Sequence, residues 1–305
     1  MKKMILVGIV ISFMSFATVS LAGTVGNIAE TQGGLGKFSL GIEYDGVFDR
    51  DLDFDSGSHS INIPVSESEP IPDPGESIKD AEFESNRIFA KGTLGLHPNF
   101  DIFVKLGAAD ADTEFKTVGA GASEKTEFDG DWDFAWGIGA KAKLYESSSG
   151  IRIMADAQYL WCEVDGDVDI DGKDLAENYK EELLYEGATS ATISYDAEAE
   201  IQEWQVALYV NKTIGMFSPY AGVKYSDIDA EFDADIDGRI TVPVGAAIII
   251  GSPYSAKIET NFEADDNFGV FLGTDIYVIP DILSFNIEGR FVDETALTLG
   301  LNWKF

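Results

Sequence analysis

The stretch Thr295–Phe305, TALTLGLNWKF, alternates without a break. Leu297, Leu299, Leu301, Trp303 and Phe305 fall on odd positions, and Thr298, Gly300, Asn302 and Lys304 on even ones. Successive side chains of a strand point to opposite faces, so this segment has one oily and one polar face. The pattern recurs. Phe38, Leu40, Ile42 and Tyr44 oppose Ser39, Gly41, Glu43 and Asp45, and Phe285, Ile287 and Phe291 oppose Asn286, Glu288 and Arg290. An oily strand face meets either a protein core or the hydrocarbon of a bilayer. A soluble β-sandwich is the alternative to a membrane barrel, but its outward faces should be polar. Beyond the leader no run approaches the ~20 apolar residues of a spanning helix. A membrane protein lacking such helices must be a closed barrel.

Residues 1–22 read as a secretory signal: Lys2 and Lys3, an apolar run from Met4 to about Ala17, then Ser20-Leu21-Ala22. The expected organisation is signal peptide 1–22, a periplasmic N-terminal segment 23–36, and a barrel over 37–305. The formal net charge of −33 excludes nucleic acid as a partner on electrostatic grounds. Cys162 is the single cysteine, so no intramolecular disulfide forms.

The fold class is all-β: a transmembrane, antiparallel, up-and-down barrel of about ten strands. Expected strands cover about 37–54, 83–97, 100–115, 127–145, 151–168, 190–211, 219–236, a part of 257–279, 284–292 and 295–305. Short turns at Pro98-Asn99, Glu146–Gly150, between 211 and 219, and at Pro280-Asp281 are periplasmic. The connections 55–81, 169–189 and 237–255 are long, that at 117–125 is moderate, and these face outward with their acidic residues. Short inner turns and long outer loops are what outer-membrane barrels show. Twelve strands follow if 239–251 makes a hairpin of its own. Leu175–Leu184 suits a short helix.

Among the charged residues with lumen parity in the membrane band, nine make up the expected pore-lining set: Glu43, Arg87, Lys91, Lys105, Asp156, Glu203, Lys224, Glu288 and Arg290. Charges there are costly unless paired or hydrated. The lumen is thus either a narrow aqueous pore or a barrel locked by ion pairs, and ten strands lie near the filled end of the size range. Acidic ladders mark the outer ends of the strands: Asp49 to Asp55, Glu127 to Asp133, Glu163 to Asp171, Asp196 to Glu200 and Asp227 to Asp237. In the first and fourth strands their parity matches the lumen, and in the fifth to seventh it matches lipid. A β-bulge near Cys162 or Tyr225 is one way to switch the face. The ladders form a solvated collar to which divalent cations bind at most loosely, with no other cofactor or metal expected. Of the two histidines, His97 adjoins a periplasmic turn, and His59 sits among Ser58, Ser60 and acids without a convincing catalytic arrangement. Catalysis is not expected. The apolar run Ile240–Gly251 suits a plug, a dip into the outer leaflet or a partner contact.

Leu299, Leu301, Trp303 and the terminal Phe305 resemble the closing strand of bacterial outer-membrane barrels, which implies insertion by the barrel assembly machinery. The two ends also resemble those of chlamydial-type major outer-membrane porins. That likeness rests on Val25-Gly26-Asn27, Ala29-Glu30 and Phe48-Asp49-Arg50 near the start. Near the end it rests on Gly273-Thr274, Glu288, Arg290, Asp293-Glu294 and Phe305. It implies an outer-membrane porin passing small solutes amid membrane lipid and lipopolysaccharide. This sequence is shorter and nearly free of cysteine, so a wide pore and a disulfide-linked surface network are not implied. A non-conducting structural or adhesive barrel is the alternative, followed by a hydrophobic-ligand carrier or an outer-membrane protease.

Overall fold

Alternating segments of this kind pair edge to edge, and they do so here in one antiparallel sheet. The computed structural model describes residues 35–62, 77–119, 122–185, 187–244 and 247–305. The signal 1–22, nearly all of segment 23–36 and the prolines of the first long connection lie outside the described residues. The elements are β1 (Phe38–Asp49), β2 (Asp51–Asn62), β3 (Ser77–His97), β4 (Phe100–Ala109), β5 (Asp112–Gly119), β6 (Ala122–Gly130), β7 (Asp133–Glu146) and β8 (Ile151–Ile170). There follow β9 (Lys173–Asp174), α1 (Leu175–Tyr185), β10 (Ser190–Lys212), β11 (Phe217–Val244), β12 (Ala247–Ala264), β13 (Phe268–Ile279), β14 (Leu283–Phe291) and β15 (Thr295–Lys304).

At the end near the chain termini, ten strands close a ring in the order β1, β3, β4, β7, β8, β10, β11, β13, β14, β15 and back to β1. Closure joins Ser39 to Lys304 and Tyr44 to Leu299, and the rings of Phe38 and Phe305 stack across it at 4.7 Å. Above this ring the barrel narrows to eight strands: β2, β3, β5, β6, β8, β10, β11 and β12. The short hairpin β14–β15 stops at the narrowing, so β12 pairs directly with β2 there. The ten expected strands thus appear as fifteen segments, because four break at this height and β9 adds two residues. The backbone at the breaks stays paired, for example Phe83 N to Arg50 O at 3.0 Å and Asp131 N to Asp165 O at 2.7 Å.

The breaks have a chemical purpose. Below them the ring turns leucines, isoleucines and valines outward, as with Leu40, Ile42, Val104, Leu106, Ile138, Leu208 and Leu272, and buries charge inside. Above them the interior is an apolar core containing Phe83, Phe115, Phe128, Val164, Ile201, Phe232, Ile236 and Phe262. Each large side chain of this kind contributes about 1.5–3 kcal/mol on burial. The exterior of this collar carries the acids. In β8, β10 and β11 the inward set is polar below and apolar above with no change of phase. In β1/β2, β6/β7 and β12/β13 the break shifts the phase by one residue, so that Asp51, Asp53, Asp129 and Asp131 face water. A bulge at Cys162 or Tyr225, one of the ways considered for turning the face, does not occur, since the register runs through both unshifted. The phase changes where sequence parity had wrongly pointed acids inward.

Two further expectations are corrected. The 237–255 connection is the upper part of hairpin β11–β12, and Ile240 is buried in the collar core; no separate pair of strands arises. The first connection likewise shortens, because β2 runs to Asn62 and β3 starts at Ser77. The helix forms as expected, with Leu175, Tyr179 and Leu183 on its buried face at i, i+4, i+8 spacing. It packs against β8 and β10 where those strands diverge. Among the described residues, no helix is long and apolar enough to cross a membrane.

Candidate functional site: the barrel lumen

The residues that face the inside of the ten-strand ring are those that period 2 assigns there. All nine expected pore-lining residues, Glu43, Arg87, Lys91, Lys105, Asp156, Glu203, Lys224, Glu288 and Arg290, are buried in this lumen. They are brought together as three connected groups.

The first group lies across β1, β3, β4, β7 and β8. Glu43 accepts from Lys105 Nζ at 2.6 Å and from Lys91 Nζ at 3.4 Å. Lys105 also donates to Gln158 Oε1 at 3.1 Å. Phe103 stands among three ammonium groups, Lys91 at 4.6 Å and Lys105 and Lys141 both at 5.6 Å from its ring centre. Gly139 makes room for that ring, since a Cβ built there overlaps Phe103. Lys141 lies 3.9 Å from Asp156.

The second group sits higher, where the barrel narrows. Glu203 pairs with Arg50 at 3.1 Å and Arg87 at 3.4 Å. The turn between β14 and β15 projects two carboxylates into the lumen beside them. Asp293 pairs with Lys224 at 2.6 Å, and Glu294 pairs with Lys224, with Arg290 at 2.9 Å and with Arg50 at 3.9 Å. Arg290 also donates to Asp45 at 2.9 Å and lies 3.6 Å from Glu288. Glu288 leads to the third group, in which Tyr220 donates to it at 2.8 Å and Asn286 donates to Tyr220 Oη and Asp275 at 2.9 and 2.8 Å.

Sequence reasoning missed Arg50, Asp293 and Glu294 as lumen residues. Arg50 lies on the phase break and the two acids on a turn, where alternation carries no direction. A signal was nevertheless present. Arg50, Glu288, Arg290, Asp293 and Glu294 all belong to the stretches that carried the porin resemblance, and the fold gathers them into one network.

Outside the lumen, the indole of Trp161 donates to Glu200 at 3.0 Å and that of Trp204 to Asp227 at 3.1 Å. These rings mark the upper edge of the lipid-facing band, with Phe38, Trp303 and Phe305 at the lower edge. In the collar, burial and the adjacent carboxylates Asp110 and Asp129 push the Asp112 carboxyl up to about 6. Cross-strand partners are like-charged at Glu163–Glu200, Asp129–Asp167 and Asp196–Asp235. Among the described residues, no group of three or more His, Cys, Asp or Glu is placed to hold a metal. The His97 Nδ1 accepts from Asn99 N in its exposed turn, and the His59 side chain lies outside the described residues.

Comparison with known proteins agrees with this architecture. The family described as Chlamydia major outer membrane protein matches residues 177–287, a stretch in the C-terminal half that covers most of α1, all of β10 to β13 and part of β14. The major outer membrane porin, serovar A, of Chlamydia trachomatis is 25% identical and covers 87% of this chain and 85% of its own length. That of Chlamydia muridarum is also 25% identical, with the same two coverages. Among solved structures, the outer membrane protease OmpT from Escherichia coli is 10% identical with a TM-score of 0.45, covering 88% of this chain and 97% of its own. OprG from Pseudomonas aeruginosa is 13% identical with a TM-score of 0.35, covering 90% and 98%. With its apolar girdle, its charged lumen and the porins among its curated relatives, the chain is a bacterial outer-membrane β-barrel protein, similar over most of its length to the chlamydial major outer membrane porins.

Proposed function

We propose that the ten-strand ring is a narrow, porin-like channel for ions or small hydrophilic solutes, and that it performs no catalysis. One observation carries this reading: charged residues from nearly every strand of the ring are turned inward within the lipid-facing band. Buried ion pairs are often no better for stability than apolar side chains of the same volume. A barrel serving only as an anchor has little use for so many intramembrane charges, whereas a path for hydrated solutes needs them. The relatives named as porins support the same reading.

The nine lumen residues would set width and selectivity. Gln205 supports a water path, because its buried amide has no hydrogen-bond partner among the described residues and water in the lumen would satisfy it. The conformation described is shut at two levels, by the Asp293–Glu294 turn among Arg50, Lys224 and Arg290, and by the apolar collar core above it. Conduction along the barrel axis therefore requires both that the turn leave its three cations and that the collar core part above it. Leu299, Leu301, Trp303 and Phe305 would present the assembly signal, and the acidic collar would share divalent cations with lipopolysaccharide.

Planar-bilayer recording on the folded barrel tests the channel. Small unitary currents are expected, with selectivity that shifts on Lys105→Gln or Glu43→Gln. Silence from well-folded protein would favour the second reading, a non-conducting surface barrel, which the packed apolar collar supports.

A further inference from the structure

An exit along the barrel axis is costly. Parting the collar core would bring Phe83, Phe115, Phe128, Ile201, Phe232 and Phe262 into water, at a cost of the same order as the stability of a whole folded domain. The place where ten strands become eight offers a shorter way out. Asp51 O accepts from Asp265 N at 3.3 Å, which draws β2 and β12 together. Below that bond β1 and β13 part to admit the hairpin β14–β15, and three interstrand spacings, about 14 Å, then separate them. Asp49 pairs with Thr295 about 7 Å below Asp51. The wall between these points is a small triangle, and the turn Val292–Glu294 stands in it.

The turn is thin and loosely tied. Val292 is 71% exposed, whereas Asp293 and Glu294 are 4% and 3% exposed and reach into the lumen. A single bend of chain therefore separates the charge network from the outside at this point. Among the described residues, Val292, Asp293 and Glu294 make no backbone-to-backbone hydrogen bond. The ion pairs of the two acids with Lys224, Arg290 and Arg50 hold the turn in place. Val292 has a φ of 91°, a region that β-branched residues avoid, so the shut turn carries backbone strain that leaving would relieve.

The surroundings of the triangle are hydrophilic on the outside. Asp49, Asp51, Asp265 and Asp266 are all exposed around it. Burial and the neighbouring carboxylates of Asp49, Asp265 and Asp266 push the Asp51 carboxyl above its ordinary range. Phe268 and Phe291, both exposed, lie just below, at the upper aromatic edge of the lipid-facing band. An opening with such a rim faces headgroups and water rather than hydrocarbon.

We propose that solutes pass sideways between the lumen and the exterior, through a doorway that the hairpin tip Phe291–Thr295 opens and shuts while the collar stays packed. Such an exit rests on the channel reading and gives that channel its outer mouth. An entering solute meets the acidic rim first. It then passes Arg50, Lys224 and Arg290, which the turn has left, and reaches the lumen. Moving the turn uncovers charges that water can solvate, whereas parting the collar uncovers aromatic rings that it cannot.

Bilayer recording on the full-length barrel in a KCl gradient tests this, at about 0.1 M, where charges act over ~10 Å. Asp51→Asn with Asp265→Asn and Asp266→Asn strips the rim, and should lower the cation-to-anion permeability ratio roughly twofold or more. Asp235→Asn with Asp237→Asn strips the outer end of the collar, about 30 Å along β12 from the rim, and should leave the ratio unchanged. Asp293→Asn with Glu294→Gln frees the turn and should raise the open time about tenfold or more, with the collar as resistant to protease as before. Heat-modified gel mobility identifies the folded variants. A permeability ratio that follows Asp235 and Asp237 instead of the rim would overturn the lateral exit and leave the channel standing. So would an open time that the freed turn does not change. Silence from well-folded wild type would remove the channel itself, and the doorway with it.

Discussion

The turn between β14 and β15 gives the sharpest test of how the lumen is held. Changing Asp293→Asn and Glu294→Gln together removes two carboxylates while keeping their shapes. Arg290 keeps Asp45 at 2.9 Å and Glu288 at 3.6 Å, and Arg50 keeps Glu203 at 3.1 Å. Lys224 loses both of its ion pairs and retains Ser226 at 3.2 Å. Leaving one buried charge without its partner costs about 3–5 kcal/mol. At ~1.4 kcal/mol per tenfold, this is a shift of roughly two to three and a half decades in the stability of the arrangement with the turn in place. Heat-modified mobility on gels, read as a midpoint temperature, should fall in the double variant. Adding Lys224→Met removes the stranded ammonium and should restore most of the lost midpoint. A loss equivalent to under about 1 kcal/mol, or a Lys224→Met change that adds to the damage, would refute the claim that the turn is held by these charges.

Other expectations follow from separate parts of the molecule. Asp112 has a carboxyl raised to about 6, so its protonated form favours the fold, and its contribution is present at pH 4 and lost as pH rises through 6. Resistance of the collar to proteolysis should therefore fall between pH 4.5 and 7.5, less so in Asp112→Asn. The like-charged cross-strand pairs of the collar repel, so added NaCl should raise the midpoint, and millimolar Mg²⁺ or Ca²⁺ should do so at lower concentration. Gly139→Val should displace Phe103 from its three lysines and lower the midpoint by the equivalent of about 1–3 kcal/mol. Phe305→Ala removes the 4.7 Å stack with Phe38 and should reduce the folded fraction in the outer membrane, measured by fractionation, more than it reduces the midpoint of molecules already inserted.

The membrane ring was legible because one rule governs it. Ile42 against Glu43, Leu106 against Lys105 and Ile287 against Glu288 each show the oily and charged faces directly. The collar was less legible because the same period serves an opposite chemistry there. In β8, Gln158 and Cys162 share a face, yet one lies in a polar lumen and the other in an apolar core. Parity alone cannot report that reversal. It also misled at Asp51 and Asp131, since a one-residue irregularity in the chain has no fixed composition. Over Ile240, Gly and Pro favour a loop while the β-branched residues favour strands, so the sequence supports both a long connection and a separate hairpin. The lumen network was half visible: cations and acids on strands could be assigned, but the pairing of Arg50 with Glu203 spans 153 residues and required the completed ring.

The pairing of β1 with β15 has a consequence for how this molecule comes into being. The first stave of the cylinder finds its second neighbour only when the last has been delivered. Until then two raw backbone borders, with their amides and carbonyls, would confront hydrocarbon. No half-built cylinder is therefore a stable resident of the bilayer, and whatever inserts this chain must shelter both borders until they meet.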